Sequence, residues 1–356
     1  MTSLRKKQSE KFICFWIILL FSIGNAGLAI AKCPVRMGSE FPPKNFLVMA
    51  HRGATNQYPE NTIPAFQQAL NEKGANSLQV DLSFTQDQKI ILWHDWNPND
   101  PVALIRQEGR EPFVNFKPSV PSKESKWRKK VSLLPLAEFR KRYGFVHKMT
   151  NVKSKVLIPT FKEFLEWASR QDNLKFVLFK LRVPAEEFRL ASIMLKDIQK
   201  GVDKLNPEPK FQMAFSTPHK KVLYVAKKHF SELSFLFDRE IPAKGVVNYD
   251  RFTTIPTARD LNNQFAGIGL PIYKDPSKTI KPDPWIVYRF ILTRDFKLRD
   301  NYKKSGSDYI KILSWNFNDE KKMECLIRLG VDGIVTDKPE LLRSIALRLG
   351  KNLEVK

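Results

Sequence analysis

The sequence predicts an α/β protein with a (β/α)8 (TIM) barrel, and three observations support this prediction. Short apolar segments with strand character alternate with amphipathic helical segments along the 356 residues. The strand segments are nearly continuous apolar runs, which is typical of parallel strands that are buried on both faces. Seven or eight such repeats favour a closed barrel over an open sheet.

The predicted elements follow from composition and from residues that start and stop helices. Strands are expected at 46–50, 77–84, 89–93, 174–181, 211–215, 233–237, 265–270, 310–315 and 333–336. Helices are expected at 62–72, 161–169, 185–206, 219–230, 320–329 and 339–349. The first helix illustrates the signals, because Asn61 or Thr62 can cap it, Pro64 lies in its first turn and Gly74 follows its end.

Two stretches interrupt this alternation. Residues 97–157 are polar, basic and rich in Pro, with one helical piece near 134–142, and we interpret them as an insertion after the strand that ends at His94. Residues 240–262 have no clear pattern. The expected organisation is a signal peptide or anchor at 1–31, an N-terminal segment at 32–44 and one barrel at 45–350.

The first 31 residues have the composition of a secretory signal. Four basic residues and one Glu lie within the first 11 positions, an apolar run follows over 12–21, and Ala29-Ile30-Ala31 places small residues before Lys32. We therefore predict an exported protein, periplasmic or secreted. The alternative is an uncleaved membrane anchor over residues 12–31.

Export changes the interpretation of the three cysteines. Cys14 lies in the signal, which leaves Cys33 and Cys325. In an oxidising compartment these two could form a disulfide, and the alternative is two unrelated thiols. A zinc site is not expected, because no Cys or His pair has the spacing of zinc ligands.

The chain is strongly basic, with a formal charge of +23. Residues 121–155 alone hold eleven Lys and Arg against two Glu. Such a field attracts anionic partners, and the candidates are a phosphorylated small molecule and an anionic membrane surface. Nucleic acid is not expected, because no nucleic-acid-binding motif accompanies the charge. A solvated basic face without a partner is the alternative.

Active sites of parallel barrels lie at the C-terminal ends of the strands. His51 and Arg52 end the first predicted strand, His94 the third, Lys180 the fourth and Trp315 a later one. One imidazole can take a proton from an attacking oxygen while the other protonates the leaving oxygen. Arg52 and Lys180 can hold a phosphate anion, and Trp315 is expected to bind substrate beside them. A lone histidine at a strand end is more often structural, so the set carries the prediction of phosphoryl chemistry.

Several motifs together resemble the glycerophosphodiester phosphodiesterase family, over roughly residues 46–345. They are His51-Arg52-Gly53, Pro59-Glu60-Asn61-Thr62, Asp81, Thr85-Gln86-Asp87, His94-Asp95, Ile158-Pro159-Thr160, Lys180, Trp315-Asn316 and Gly330-Val331-Asp332-Gly333-Ile334-Val335-Thr336-Asp337-Lys338-Pro339. The first and last blocks are specific, whereas residues 182–310 match only as a pattern of strands and helices.

The resemblance implies a (β/α)8 barrel with a small insertion after the third strand, which corresponds to residues 97–157. It implies hydrolysis of glycerophosphodiesters or related lipid phosphodiesters with a divalent metal, usually Ca2+ or Mg2+. By the same resemblance, His51 and His94 are the acid–base pair, Arg52 contacts the phosphate and Lys180 is the lysine of the site.

The resemblance also assigns a loop after the first strand and a metal site. Glu60 and Asn61 match the loop and are expected to organise the site. The family has Glu-x-Asp on the second strand, where this chain has Gln79-Val80-Asp81, and Glu-x-Lys on the fourth, where it has Leu178-Phe179-Lys180. Hard cations prefer several charged oxygen ligands. We therefore expect Asp81 with Gln79 to form a weak or vestigial metal site, and no tightly bound cofactor.

Three interpretations remain open at this point. In the first, hydrolysis survives without the usual metal, and Arg52 and Lys180 stabilise the phosphate of a glycerophosphodiester or a lysophospholipid. In the second, the protein is a pseudoenzyme that binds a phosphodiester head group. In the third, Ca2+ or Mg2+ is kept by a rearranged shell that recruits Glu60 or Asp238.

Overall fold

A computed structural model describes Cys33 and residues 38–205, 209–240, 254–270 and 283–354. The signal or anchor predicted at 1–31 therefore lies outside the described residues. The strands of the described part are β1 (Leu47–His51), β2 (Ser77–Phe84), β3 (Ile90–Leu92), β4 (Phe116–Ser119), β5 (Gly144–His147), β6 (Phe176–Leu181), β7 (Gln212–Thr217), β8 (Phe235–Phe237), β9 (Arg239–Glu240), β10 (Phe265–Gly269), β11 (Lys311–Trp315) and β12 (Gly333–Thr336).

The main sheet curves into a nearly closed parallel barrel. The strand order is β8-β7-β6-β2-β1-β12-β11-β10-β9, and every neighbouring pair in this order is parallel. Only Asp238 separates β8, which pairs with β7, from β9, which pairs with β10. The short segment 235–240 therefore connects both ends of the sheet, and the predicted (β/α)8 barrel is confirmed.

Helices follow most of the barrel strands. They are α1 (Ile63–Asn71), α2 (Pro101–Gln107), α3 (Leu136–Arg142), α4 (Phe161–Ala168), α5 (Phe188–Asp203), α6 (Lys220–His229), α7 (Ile255–Asp260), α8 (Pro284–Lys304), α9 (Glu320–Leu329) and α10 (Pro339–Arg348). Local signals fix their ends. Thr160 and Glu163 form a capping box at the start of α4, and Gly330 ends α9 with a left-handed φ of 102°.

The barrel interior is a separate apolar cluster. Its members point inward from alternate strand positions and are Leu47, Met49, Phe176, Leu178, Ala214, Leu236, Phe265, Leu313, Trp315 and Val335. Gly267 and Gly269 face the indole of Trp315, and a Cβ at either position would collide with that ring. The two glycines on β10 thus make space for the largest side chain of the interior.

The structure differs from the prediction in two elements. The third predicted strand exists as β3, but it runs antiparallel to β2 and is not part of the parallel barrel. A 21-residue helix, α8, was not predicted. Its inward face carries the buried charged residues Asp295, Arg299 and Asp300, which weaken the apolar periodicity that identifies a helix.

The interrupted stretches also contain regular structure. Residues 97–157 hold α2, α3 and an antiparallel pair formed by β4 and β5, and the described part of 240–262 contains α7. The domain limits given above remain a prediction.

A disulfide joins the N-terminal segment to α9. Cys33 and Cys325 form a disulfide with a Cα–Cα distance of 5.3 Å. Of the two alternatives for these cysteines, the structure therefore contains the disulfide and not two separate thiols. Across the ranges described here, no helix combines the length and apolarity that a bilayer crossing requires.

Candidate active site

His51 ends β1, and its ring is fixed by a carboxylate from the neighbouring strand. Its Nδ1 lies 2.7 Å from Oδ1 of Asp337, which directly follows β12. Asn318 donates from Nδ2 to Oδ2 of Asp337 over 2.6 Å, so the carboxylate is itself held in place. This arrangement favours the tautomer with a proton on Nδ1 and leaves Nε2 as the nitrogen for proton exchange.

The two residues after His51 form a sharp turn at the end of β1. Arg52 and Gly53 have φ values of 59° and 96°. A Cβ at Gly53 would lie 2.7 Å from the Cβ of Ala65, so both the backbone angle and the close approach require glycine. The turn directs the Arg52 side chain away from the interior cluster and into a charged network.

This network is buried and contains two guanidinium groups and three carboxylates. Arg52 donates from Nη1 to Glu60 over 2.5 Å and from Nη2 to Glu111. Arg106 donates to the other oxygen of Glu60, to Glu111 over 2.6 Å and to Asp95 over 3.2 Å. All five side chains are at most 6 % exposed. Arg52 is therefore engaged by carboxylates in this structure, and its predicted contact with phosphate stays a prediction.

His94 is held in the same manner as His51. Its Nδ1 lies 2.6 Å from Oδ1 of Asp95. Because β3 runs antiparallel to β2, the chain returns toward the barrel, and the amide of Trp93 donates to the carbonyl of Asp81 over 3.2 Å. His94 consequently lies beside the second barrel strand instead of ending a parallel strand of its own.

The surroundings lower the pKa of both histidines. Burial and the adjacent Arg52 guanidinium lower the pKa of His51, and Asp337 only partly opposes them. Burial, Arg182 and Arg106 hold the pKa of His94 well below its usual value. Both rings therefore favour the neutral form more than a solvent-exposed imidazole does.

Two carboxylates of the network respond differently to burial, which raises the pKa of Glu60 although Arg106 and Arg52 oppose it. Burial alone would raise the pKa of Glu111, but Arg106 and Arg52 outweigh it and bring the pKa to about 2. The electrostatic chain Arg52–Glu111–Arg106–Asp95 connects the surroundings of the two histidines. This chain of ion pairs fixes Arg52, which is next to His51, relative to Asp95, which binds His94.

Asp81, which the resemblance assigns to the metal site, already has protein groups around it. Oδ2 accepts from Asn61 over 3.0 Å, and Oδ1 accepts from Gln79 over 3.1 Å and from Nε of Arg182 over 2.9 Å. Burial would raise the pKa of this carboxyl, but Arg182 and other nearby cations keep it far below its usual range. Asn61 thus organises Asp81, while Glu60 lies in the charged network.

The residues at this position do not fit a divalent cation. Gln79 and Leu178 are directly paired across β2 and β6, and Leu178 belongs to the apolar interior. Both oxygens of Glu60 accept from arginines, and Asp238 lies 3.1 Å from the ammonium of Lys180. Within the described residues, no group of three or more His, Cys, Asp and Glu side chains is arranged to hold a metal.

Lys180 and Trp315 lie together at the C-terminal end of the barrel. The Lys180 ammonium is 5.0 Å from the centre of the Trp315 ring and forms an ion pair with Asp238. Trp315 is fully buried, so it supports Lys180 from beneath. Whether either residue contacts substrate stays a prediction.

Several residues of this site were not predicted from the sequence. Asp337 lies within a quoted motif at a strand end, which is the signal that could have identified it. Arg182 lies just beyond the predicted fourth strand and was passed over. Arg106 and Glu111 come from the insertion, where no local pattern distinguishes them from solvated charges.

A family model and curated relatives match most of the chain. A family model described as the glycerophosphoryl diester phosphodiesterase family matches residues 51–341. A glycerophosphodiester phosphodiesterase of Caldanaerobacter subterraneus is 24 % identical over 311 residues, which is 85 % of this chain and 99 % of that protein. A lysophospholipase D of Mus musculus is 25 % identical over 297 residues, which is 83 % of this chain and 80 % of that protein.

Solved structures show the same fold. A glycerophosphodiester phosphodiesterase from Thermotoga maritima matches with a TM-score of 0.52 and 18 % identity, covering 85 % of this chain and 99 % of that one. A phosphodiesterase of Oleispira antarctica, solved in complex with its product sn-glycerol-3-phosphate, matches with a TM-score of 0.54 and 19 % identity, covering 86 % and 97 %. With the family model matched over most of its length, the chain belongs to the glycerophosphoryl diester phosphodiesterase family.

Proposed function

We propose that the protein hydrolyses glycerophosphodiesters or related lipid phosphodiesters by acid–base catalysis with His51 and His94. One observation carries the proposal: each ring binds a buried carboxylate through Nδ1, Asp337 in one case and Asp95 in the other. Both Nε2 atoms therefore remain for proton transfer.

The proposed reaction uses the two rings in sequence. His51 accepts the proton of the attacking oxygen, which belongs to water or to a hydroxyl of the substrate, as that oxygen bonds to phosphorus. The bond from phosphorus to the leaving oxygen breaks, and His94, protonated in the complex, donates its proton to that oxygen. Attack by water gives a phosphomonoester and an alcohol, and the two rings have exchanged protonation states until solvent restores them.

The substrate class rests on family membership and on the relatives. The Oleispira phosphodiesterase binds sn-glycerol-3-phosphate and the mouse relative is a lysophospholipase D. We propose that Lys180 and Arg52 stabilise the phosphate, that Trp315 supports the binding site, and that Glu60 and Asn61 keep the loop after β1 in place. The ion pair of Lys180 with Asp238 would have to loosen when the phosphate binds.

We propose that the usual Ca2+ or Mg2+ site is weakened or absent. Asp81 and Gln79 are what remains of it, and they are hydrogen-bonded to each other. A rearranged shell with Glu60 or Asp238 is disfavoured because both carboxylates already have cationic partners. The alternative function is an inactive family member that binds phosphodiester head groups, and the experiment below separates the two.

The test is hydrolysis of glycerophosphocholine and lysophospholipids by the purified protein, with and without EDTA. We expect activity that EDTA does not change and that is lost in His51→Ala and in His94→Ala. Activity that EDTA abolishes and Ca2+ restores would contradict the weakened metal site. Head-group binding without turnover on any phosphodiester would support the inactive alternative instead.

We further propose that the basic segment 121–155 contacts an anionic membrane surface. Met149 and Val152 are 86 % and 64 % exposed, and Lys148, Lys153 and Lys155 lie beside them in the chain. Exposed apolar side chains among lysines suit an interface of anionic lipid. Export of the protein, as a periplasmic, secreted or anchored form, also remains our proposal, and the Cys33–Cys325 disulfide supports it because disulfides persist in oxidising compartments.

A further inference from the structure

The guanidinium of Arg182 lies against the carboxylate that a metal would need. Arg182 follows β6 directly, and its amide donates to the carbonyl of Leu82 over 2.9 Å, which fixes its backbone beside β2. Its Nε is 2.9 Å from Oδ1 of Asp81, a carboxylate with no exposed surface. The single charge of this carboxylate is therefore neutralised by a protein cation.

The neutral residues Gln79 and Leu178, where the family has Glu, change the charge balance around Asp81 and Arg182. The family pattern has three carboxylates here, and a divalent ion leaves them with one net negative charge. This chain has only Asp81, because Gln79 and Leu178 are neutral and lie side by side across β2 and β6. Asp81 together with Arg182 has no net charge, so an anionic phosphodiester meets less repulsion than at three carboxylates with one divalent ion.

Arg182 is also accessible from a cavity, unlike the arginines of the buried network. Its side chain is 27 % exposed, in contrast to the 1 % of Arg52 and Arg106. It lines a cavity of about 570 Å³ at the C-terminal ends of β6, β7 and β8, together with Lys180, Lys220, Phe237, Asp238 and Arg239. Its charge is felt at the catalytic histidine, since it contributes to the lowered pKa of His94.

A polar atom without a hydrogen-bond partner lies on the residue that donates to Asp81. The amide nitrogen of Gln79 donates to Asp81, and its Oε1 is buried and has no hydrogen-bond partner among the described residues. Such an oxygen accepts a hydrogen bond from a hydroxyl group, which a glycerol moiety carries. A cation and an amide with an unused acceptor thus contact the same oxygen of Asp81.

We propose that Arg182 replaces the divalent cation of the family: Nε binds Asp81, and the terminal nitrogens bind the phosphate monoanion of the substrate. This inference rests on the proposed function, because it assumes a phosphodiester at His51 and His94. A guanidinium presents parallel donors that match two phosphate oxygens. It stabilises the charge that develops on those oxygens during the reaction without a metal ligand set.

The first test measures binding of glycerol 3-phosphate to the full chain by calorimetry in EDTA. We expect Arg182→Gln to weaken binding by about tenfold or more, since it removes a charge-assisted contact. Arg182→Lys keeps the charge and should recover part of the affinity. The matched control is Arg170→Gln, an exposed arginine after α4, which should bind as the unmodified protein does. Unchanged affinity in Arg182→Gln would overturn the inference.

The second test exchanges the protein cation for a metal. We expect Gln79→Glu with Leu178→Glu and Arg182→Gln to bind Ca2+ or Mg2+, and the same variant with Arg182 retained to bind at least about tenfold more weakly, because like charges repel. Tight binding of either metal by the unmodified protein would contradict the replacement. If the protein hydrolyses no phosphodiester but binds glycerol 3-phosphate through Arg182, the proposed catalysis fails and the inference stands.

Discussion

His51 and Asp337 are 286 residues apart in the chain, yet Nδ1 of the imidazole lies 2.7 Å from Oδ1 of the carboxylate. They meet because β1 and β12 are parallel neighbours, so that both strands deliver their last residues to the same end of the barrel. The carboxylate orients the ring, and in the proposed reaction it would stabilise the imidazolium that forms when His51 accepts a proton.

Replacing this carboxylate tests its role. We expect Asp337→Asn to lower kcat by about 10²-fold or more, because the amide no longer favours the correct tautomer or stabilises the charged ring. Steady-state kinetics on a turned-over phosphodiester is the measurement. Asp319→Asn is the control, since Asp319 caps the exposed start of α9 and should affect stability alone. Equal kcat in Asp337→Asn and the unmodified protein would exclude the orienting role.

The lowered pKa values of the histidines predict an acidic activity profile. The base His51 must be unprotonated and the acid His94 protonated, and the pKa of each lies below 6.5 in the free protein. A bell-shaped profile of kcat/KM is centred between the two values, so its maximum is expected below pH 6.5. Bound phosphate raises the pKa of His94, so the alkaline limb of kcat should lie at higher pH than that of kcat/KM. A kcat/KM maximum above pH 7.5 or so would be inconsistent with these assignments.

The buried charged network predicts a large difference between two nearby arginines. Arg106→Met removes one of the two arginine partners of Glu60 and of Glu111 and leaves Asp95 with His94 alone, and we expect the free energy of unfolding to fall by about 3–5 kcal/mol. Arg110→Met removes only an exposed pair with Glu108, and a change within about 0.5 kcal/mol is expected. Urea denaturation followed by circular dichroism measures both. Similar losses in the two variants would mean that the network adds nothing beyond a surface pair.

The disulfide predicts a redox-dependent stability. It connects positions 292 residues apart, and its loss should lower the free energy of unfolding by about 2–4 kcal/mol. The variant with both Cys33→Ser and Cys325→Ser should match the unmodified protein in reducing agent, and reducing agent should leave that variant unchanged. A variant as stable as the oxidised protein would argue against the bond.

The basic segment predicts salt-dependent lipid binding. We expect binding to vesicles of phosphatidylglycerol and phosphatidylcholine that falls as salt increases. Lys153→Gln with Lys155→Gln should weaken it, and Lys196→Gln with Lys200→Gln on α5 removes the same charge elsewhere as a control. Vesicle sedimentation is the measurement. Equal binding by both double variants would mean that lipid binding depends on the net charge of the protein and not on the segment 121–155.

Much of the barrel was predictable because the burial of a strand or helix appears as a local pattern of apolar residues. The apolar runs of β1, β2, β6 and β12 are of this kind, and so are the ends of α1 and α9. The direction of β3 was not predictable, because a run of three apolar residues carries no signal of whether the strand is parallel or antiparallel. The helix α8 was not predicted because it buries charged side chains. His51 and His94 were identified as a pair, but their carboxylate partners depend on strand order and on a turn after β3.

The remaining residues of the site depend on contacts that no local pattern encodes. Glu111 and Arg106 lie in a polar insertion, and only their partners Arg52 and Glu60 distinguish them from surface charges. Arg182 was not predicted because it lies just beyond the predicted strand 174–181, where nothing in the sequence gives it a partner. The sequence shows that Gln79 and Leu178 stand where the family has carboxylates. The position of the Arg182 cation beside Asp81 depends on the register of β2 against β6, which the sequence does not show.

The pairing of the first barrel strand with the last has a consequence for the finished polypeptide. β1 contacts β12 along four positions, and Phe46 and Asn352 are joined by a backbone hydrogen bond. A chain shortened before residue 333 would leave one edge of its initial strand without neighbour and His51 without Asp337. Nonsense changes that remove β12 would therefore impair activity and solubility together, although that strand lies far along the chain from the histidine.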